Sequence, residues 1–212
     1  MIRLLKWLGL RRSQSTTPQF EQFRPAIETI EGWLPIEQAE WLFEQACAVP
    51  DGGRIVEIGS YQGRSTTALA FACLGTLKRV FAIDLWQGMY ADVADIPEVH
   101  QVFQEGFFGV WERNIRMNNL YPYVIPLAGR SCEIARIWRA PIHMAFVDGS
   151  HAFEDVVQDF REFFPHVVRG GLMAFHDVDP AWNGAWRAWH EHIAHHLIRT
   201  GSFTTIAYGY KP

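Results

Sequence analysis

The sequence predicts a doubly wound α/β fold around a mostly parallel sheet. Three observations carry this. Short, almost wholly apolar runs alternate with longer amphipathic ones, the pattern of parallel strands buried on both faces and separated by helices. The first such run, RIVEI from Arg54, leads into a glycine-flanked turn and an alanine-rich apolar stretch. Acidic residues and a histidine stand at the carboxyl ends of most of the apolar runs, where ligands gather in sheets of this kind.

The chain has 212 residues, enough for one such domain with a full core. Apolar residues make up 49% and charged residues 20%, a globular balance. A net charge of −4 gives no reason to expect a nucleic acid as partner. Cys47, Cys73 and Cys132 are an odd, scattered set inside apolar patterns, as free thiols in a reducing cytoplasm would be. No apolar run reaches the roughly 18 residues of a membrane span. The opening MIRLLKWLGLRR is basic and amphipathic and has no small-residue cleavage site. It reads as an arm, a membrane-surface helix, or a helix packed on a second copy of the chain, which would make the protein a homo-oligomer. SQSTTP (13–18) reads as the linker after it. The expected organisation is an arm and linker over 1–31 and one domain over 32–212.

Taken in order, residues 35–49 form a helix, with proline suited to its first turn and Ala39, Leu42, Phe43 and Ala46 on one apolar face. PDGG (50–53) breaks the chain before the first strand. A helix over 65–74 and a second strand, RVFAID (79–84), follow. The aromatic text of 86–97 is irregular, and a long helix runs from Glu98 to about Asn118. The third strand is 123–127, with a short helix from Ser131. The fourth is HMAFVD (143–148), followed by a helix over 152–168 that Gly170-Gly171 ends. The fifth is LMAFH (172–176), followed by a tryptophan-rich helix over 181–199 and a last strand, 203–208. Right-handed connections predict the order 3-2-1-4-5.

The turn after the first strand reads EIGSYQGRS. It lacks the G-x-G-x-x-G of a dinucleotide site, is one residue short of a P-loop, and is not a G-x-S-x-G elbow. A carboxylate at the strand's end suits a cationic ligand better than a phosphate. Glu57, Asp84, Asp148, His176 and Asp177 stand at strand ends, with His151 three residues past Asp148. That is more ionisable groups than packing needs, since isolated charges are not buried without partners. Asp84, one strand–helix–strand unit after Glu57, is placed to accept from a ribose diol, or to cap the next element.

VEIGSYQGRSTTALA, FAIDLW, LAGRSCEIA, FVDGSHAFEDVVQDF and GGLMAFHDVD together resemble the successive motifs of class I S-adenosylmethionine-dependent methyltransferases, of Rossmann-like fold. The likeness is to the small O-methyltransferase-like group whose fourth strand ends in DGSH or DGDH. It implies that Gly59 and Gly63 pass against the methionine part of S-adenosylmethionine. Glu57 would lie beneath it, Tyr61 and Ser65 would hold its ends, and Asp84 would take the ribose hydroxyls. Gly129 and Ser131 would border the adenine, and Asp148 would face the methionine amino group. The fold of this family closes with two strands after the fifth. Only one is legible, so the expectation is a sheet lacking the seventh strand or borrowing it from a neighbour.

Metal-dependent members of the resembled group hold a divalent cation such as Mg²⁺ at the ends of the fourth and fifth strands. Asp148, His176 and Asp177 occupy those places, with His151 at the position of the base. A cation there polarises a substrate hydroxyl, and a base that titrates near neutrality removes its proton. His176 departs from the oxygen ligands Mg²⁺ prefers. The expected function is methyl transfer to a hydroxyl of a small-molecule acceptor, a sugar or a natural product. Alternatives are a related metal-binding fold with another reaction, such as hydroxylation, and a non-catalytic nucleoside-binding subunit. Two further features read as structure. His190, His192, His195 and His196 suit a solvated helix face, and Trp182, Trp186 and Trp189 have core spacing.

Overall fold

The computed structural model describes residues 19–86 and 106–212. The basic opening segment, its linker and residues 87–105 lie outside the described residues; the helix expected from Glu98 to about Asn118 is corrected, since Gly106 at φ +77° is not helical and the helix begins at Phe107.

Seven strands form one sheet in the order β3-β2-β1-β4-β5-β7-β6. They are β1 (Arg54–Ile58), β2 (Arg79–Asp84), β3 (Val124–Ala128), β4 (Ile142–Val147), β5 (Val167–Phe175), β6 (Ile198–Phe203) and β7 (Ile206–Tyr210). The first five pair in parallel in the predicted order, with β1 between β2 and β4, and β7 runs antiparallel to both β5 and β6. The helices are α1 (Arg24–Glu28), α2 (Ile36–Ala48), α3 (Arg64–Phe71), α4 (Phe107–Met117), α5 (Ser131–Ile137), α6 (Phe153–Phe163) and α7 (Asn183–Ala188).

The strand text is continuously apolar because each face has its own core. Met144 and Phe146 join one with α1, α2 and α3, while Ala145 and Val147 join the other with α6 and α7. Packing continues ahead of Gly32. Phe20, Ile27 and Ile30 are buried, so from Phe20 on the expected arm is packed against the core.

Three further expectations are corrected. The seventh strand is present in this chain. Residues 203–208 are not one strand but the end of β6, a turn at Thr204 and Thr205, and the start of β7. The helix expected over 181–199 stops at His196, after a π segment and a 3-10 turn, and β6 begins at Ile198. β6 is an exposed edge strand, so its sequence IRTGSF needs no apolar alternation and leaves no signal. Gly170-Gly171 does not end a helix. It lies inside β5, where the register against β4 shifts between Ile142 and Met144, as glycines in a strand commonly mark.

The hydrogen-bond ladder runs past the strand ends. Asp148 N–H donates to Ile58 O at 2.7 Å, Gly59 N–H to Ile83 O at 2.9 Å, Gly129 N–H to Asp84 O at 3.0 Å and His176 N–H to Val147 O at 2.9 Å. The approach is closest at Gly59, where φ is +85° and a Cβ would stand 2.1 Å from the Asp148 carbonyl oxygen. Gly59→Ala therefore combines backbone strain with a clash against main chain. Urea unfolding should show a loss of about 2–4 kcal/mol; a loss below about 1 kcal/mol would contradict this close passage.

Candidate active site

The turn after β1 is held by the acid at the end of β2. Asp84 Oδ2 accepts from the N–H groups of Ser60 and Tyr61, both at 2.8 Å, and Oδ1 accepts from Trp86 N–H at 2.8 Å. Tyr61 sits at φ +43°, a conformation a bulky residue adopts only when its surroundings impose it. Its carbonyl accepts from the Trp86 indole at 3.1 Å. Asp84 thus shapes the turn as a cap would. It also lines the cavity, with acceptor capacity left on its carboxylate.

Glu57 lies beneath this turn, fully buried. Its Oε2 accepts from the hydroxyls of Ser60 and Thr66, while Oε1 has no hydrogen-bond partner among the described residues. Burial raises its pKa to about 7, against the opposing hydroxyl hydrogen bonds. Gly63, expected against the cofactor, instead begins α3 with its α-carbon towards Trp111.

At the ends of β4 and β5 four side chains converge. One ligand atom from each of Asp148, His151, His176 and Asp177 lies within 4.8 Å of the others. His176 Nδ1 is 2.9 Å from Asp148 Oδ1 and 3.4 Å from Asp177 Oδ2, and His151 Nε2 is 3.0 Å from Asp177 Oδ2. Both of these ring nitrogens are enclosed, and neither has an aligned hydrogen-bond partner among the described residues. These are charge contacts around a common centre rather than directed N–H···O bonds. Burial opposes charge on the His176 ring, but the carboxylates of Asp148 and Asp177 outweigh it and lift its pKa to about 10. Burial would raise Asp177, yet the two facing rings hold its carboxyl well below the usual range. Asp177 takes φ +53°, which turns its side chain back to this cluster.

A cavity of about 480 Å³ joins these features, within the range of roughly 300–1,000 Å³ usual for ligand sites. Gly59, Tyr61, Ser65, Asp84, Gly129, Ser131, Asp148, His151, His176 and Asp177 all line it; Glu57 and Gly63 do not.

Sequence reasoning missed Gln38. This buried α2 residue accepts from His176 Nε2 at 2.7 Å through Oε1 and donates through Nε2 to the Thr204 and Thr205 hydroxyls. With Oε1 accepting, His176 keeps a proton on Nε2 and turns Nδ1 to the cluster. No motif signals it, because its partners are distant in sequence. Also missed were Trp33, stacked on Tyr61 at the cavity (4.9 Å between centroids), and Asp159 in its wall. Among the tryptophans, Trp189 is core as expected, but Trp182 is exposed and packs on His151 with its ring tilted by 32° and centroids 4.4 Å apart. The four helix histidines form no metal-competent group among the described residues. The cysteines are free thiols, and no helix among the described residues is long and apolar enough to cross a membrane.

The parallel order with an antiparallel β7 inserted beside β5, and a cavity at the carboxyl ends of the central strands, define a class I methyltransferase fold. The chain belongs to the family described as "Methyltransferase domain", whose model matches residues 56–178. An uncharacterized protein, y4gI, from Sinorhizobium fredii is 29% identical over 148 residues; the match takes in 65% of this chain but only 15% of that protein. Among solved structures, CalS11, a TDP-rhamnose 3'-O-methyltransferase of calicheamicin biosynthesis, matches 99% of this chain and 91% of its own at 19% identity and TM-score 0.58. The O-methyltransferase TomG from Streptomyces achromogenes, in complex with SAM, matches 99% and 95% at 17% identity and TM-score 0.62.

Glu57 makes stability depend on pH. Its folded pKa lies above its unfolded value, so the folded state binds more protons between about pH 4.5 and 7, and stability falls as pH rises through that window. Glu57→Gln removes the titration. With a chelator present, its stability relative to wild type should improve by about 2–3 kcal/mol between pH 4.5 and 8. A difference that stays flat across that window would contradict the buried, raised carboxyl.

Proposed function

We propose that this chain transfers the methyl group of S-adenosylmethionine to a hydroxyl of a small-molecule acceptor, of the sugar or natural-product kind. The observation that carries the reading is the single cavity connecting the Gly59–Tyr61 turn to the Asp148–His151–His176–Asp177 cluster. The names of CalS11 and TomG, both O-methyltransferases, support it through the shared fold.

In this reading the methionine part lies along Gly59 and Ser65, with Asp148 facing its amino group. The ribose lies towards Asp84, and the adenine between Gly129 and Ser131. The acceptor enters beside His151 and Trp182. Its oxygen attacks the methyl carbon, the carbon–sulfur bond breaks with its electron pair going to sulfur, and the hydroxyl proton passes to His151. Nε2 of His151 is enclosed against Asp177, so Nδ1 is the nitrogen left to take the proton. The imidazolium so formed is stabilised by the Asp177 carboxylate. Holding the oxygen and the methyl carbon in line removes much of the entropic barrier.

The residues fit a divalent cation. Two enclosed ring nitrogens without aligned partners face two carboxylates, and His176 has its other nitrogen on Gln38, as a ligating histidine requires. Asp148, His176 and Asp177 would hold the ion, which when bound would polarise the acceptor hydroxyl. A nitrogen ligand favours a borderline cation such as Mn²⁺, Co²⁺ or Zn²⁺ over Mg²⁺.

Two measurements test this. Calorimetry with S-adenosylhomocysteine should show one site per chain, and Asp84→Ala should weaken binding by about 1–3 kcal/mol; absence of binding by the wild-type chain would overturn the cofactor reading. His151→Ala should slow methyl transfer by roughly 10²–10⁴-fold with S-adenosylhomocysteine affinity nearly unchanged. An alanine variant that turns over at the wild-type rate would remove His151 as the base.

A further inference from the structure

Gln38 is buried on α2, and its side-chain partners among the described residues all lie far from it in the chain. Its Oε1 accepts from His176 Nε2 at 2.7 Å. Its Nε2 donates to the hydroxyls of Thr204 and Thr205, the latter at 2.9 Å. Those threonines form the turn between β6 and β7. Which way the amide faces follows from its hydrogens. An amide nitrogen has two to place, and an amide oxygen has none. With the nitrogen towards the turn, each hydrogen meets a hydroxyl oxygen. With the amide reversed, both would face one ring nitrogen that can accept only one of them. The other would be left unpaired in a buried place, which is costly. The two hydroxyls therefore keep Oε1 on His176. That oxygen can only accept, so Nε2 of the ring carries the hydrogen. The nitrogen left for other partners is Nδ1, 2.9 Å from Asp148 Oδ1 and 3.4 Å from Asp177 Oδ2.

We infer that Gln38 is a positioning residue for cation binding, fixing the His176 ring so that Nδ1, and not Nε2, offers its electron pair to an ion between Asp148 and Asp177. The inference rests on the cation reading of the cluster given above and adds what selects one ring nitrogen over the other. Gln38 does not line the cavity, so it acts only through His176. Its hold has two effects. By accepting from Nε2–H it excludes the tautomer whose hydrogen would point at the ion. By tethering the outer edge of the ring it also opposes turning the ring over, which would put carbon where Nδ1 stands. Gln38 is on α2 and the threonines are on the antiparallel hairpin, so two elements outside β5 set the geometry of a ligand that follows β5. Removing the partner of a ligating imidazole's outer N–H costs roughly 10- to 100-fold in metal affinity. The rival account is a peg that only joins α2 to the hairpin.

The test is Zn²⁺ binding to the full chain by calorimetry, with the ring nitrogens of isotope-labelled histidine read by NMR. His176→Asn assigns the His176 signals by their loss and gives the background from other sites. The wild-type chain should bind Zn²⁺ at the cluster through His176 Nδ1, with the hydrogen kept on Nε2. Gln38→Leu should weaken that binding by about 10- to 100-fold. Gln38→Met, whose unbranched side chain keeps the length of glutamine should the leucine variant not fold, should do the same. Gln38→Glu keeps an acceptor on Nε2–H, and the threonine hydroxyls can turn to donate to its other oxygen. It should therefore bind Zn²⁺ at least as tightly as the wild type. Without metal, S-adenosylhomocysteine affinity should be the same in all three variants. A mere peg would lower stability without ordering the metal affinities in this way. Should Gln38→Leu or Gln38→Met bind Zn²⁺ within about 3-fold of the wild type, should Gln38→Glu lose affinity as they do, or should the ion sit on Nε2, the assignment is wrong and the cation reading stands. Failure of the wild-type chain to bind Zn²⁺ would overturn both.

Discussion

The site depends on how closely the end of β1 passes the end of β4. Asp148 N–H reaches the Ile58 carbonyl, and the Asp148 carbonyl lies where a side chain on Gly59 would begin. That contact brings the glycine turn and the acidic cluster to opposite sides of one cavity. A side chain at Gly59 would force the two strand ends apart, and the cavity would lose its shared floor. The parallel sheet supplies the alignment, since each strand end extends the ladder by one more bond.

Around that floor the buried acids divide the work. Asp84 collects three backbone N–H groups and fixes a turn that Tyr61 would not adopt unaided. Glu57 sits under the same turn, satisfied on one oxygen by Ser60 and Thr66. In the cluster, the proton on His176 stands between carboxylates where a cation would also be stable. The same low-polarity surroundings that make these charges costly make each contact between them strong.

Gln38 connects parts of the chain that are far apart in sequence. It ties α2 to the turn between β6 and β7 and contacts the outer nitrogen of His176. The antiparallel hairpin is therefore more than a closure of the sheet edge, because its turn helps to orient a side chain of the cluster. Arg64 works similarly at the mouth, donating to the carbonyls of Ile30 and Gly32 beside the exposed Trp33.

The sequence by itself determined the parallel order of the first five strands and the places of Asp84, Asp148, His151, His176 and Asp177 at strand ends. Both follow from local pattern: buried strands must be apolar throughout, and charge among them is tolerable only where a strand opens to solvent. β6 escaped it because an exposed edge carries no apolar alternation. The stop of the last helix at His196 escaped it because pairing with β7 overrides the local text. Only the tertiary structure decided that Gly63 stands behind the wall, against Trp111, rather than in it. The direction of a side chain at a strand end depends on the turn that follows, and Asp84 sets that turn from the neighbouring strand. Gln38 and Asp159 entered the site the same way, through contacts with residues no local spacing relates to them. A buried polar residue reveals its role only through the partner that satisfies it.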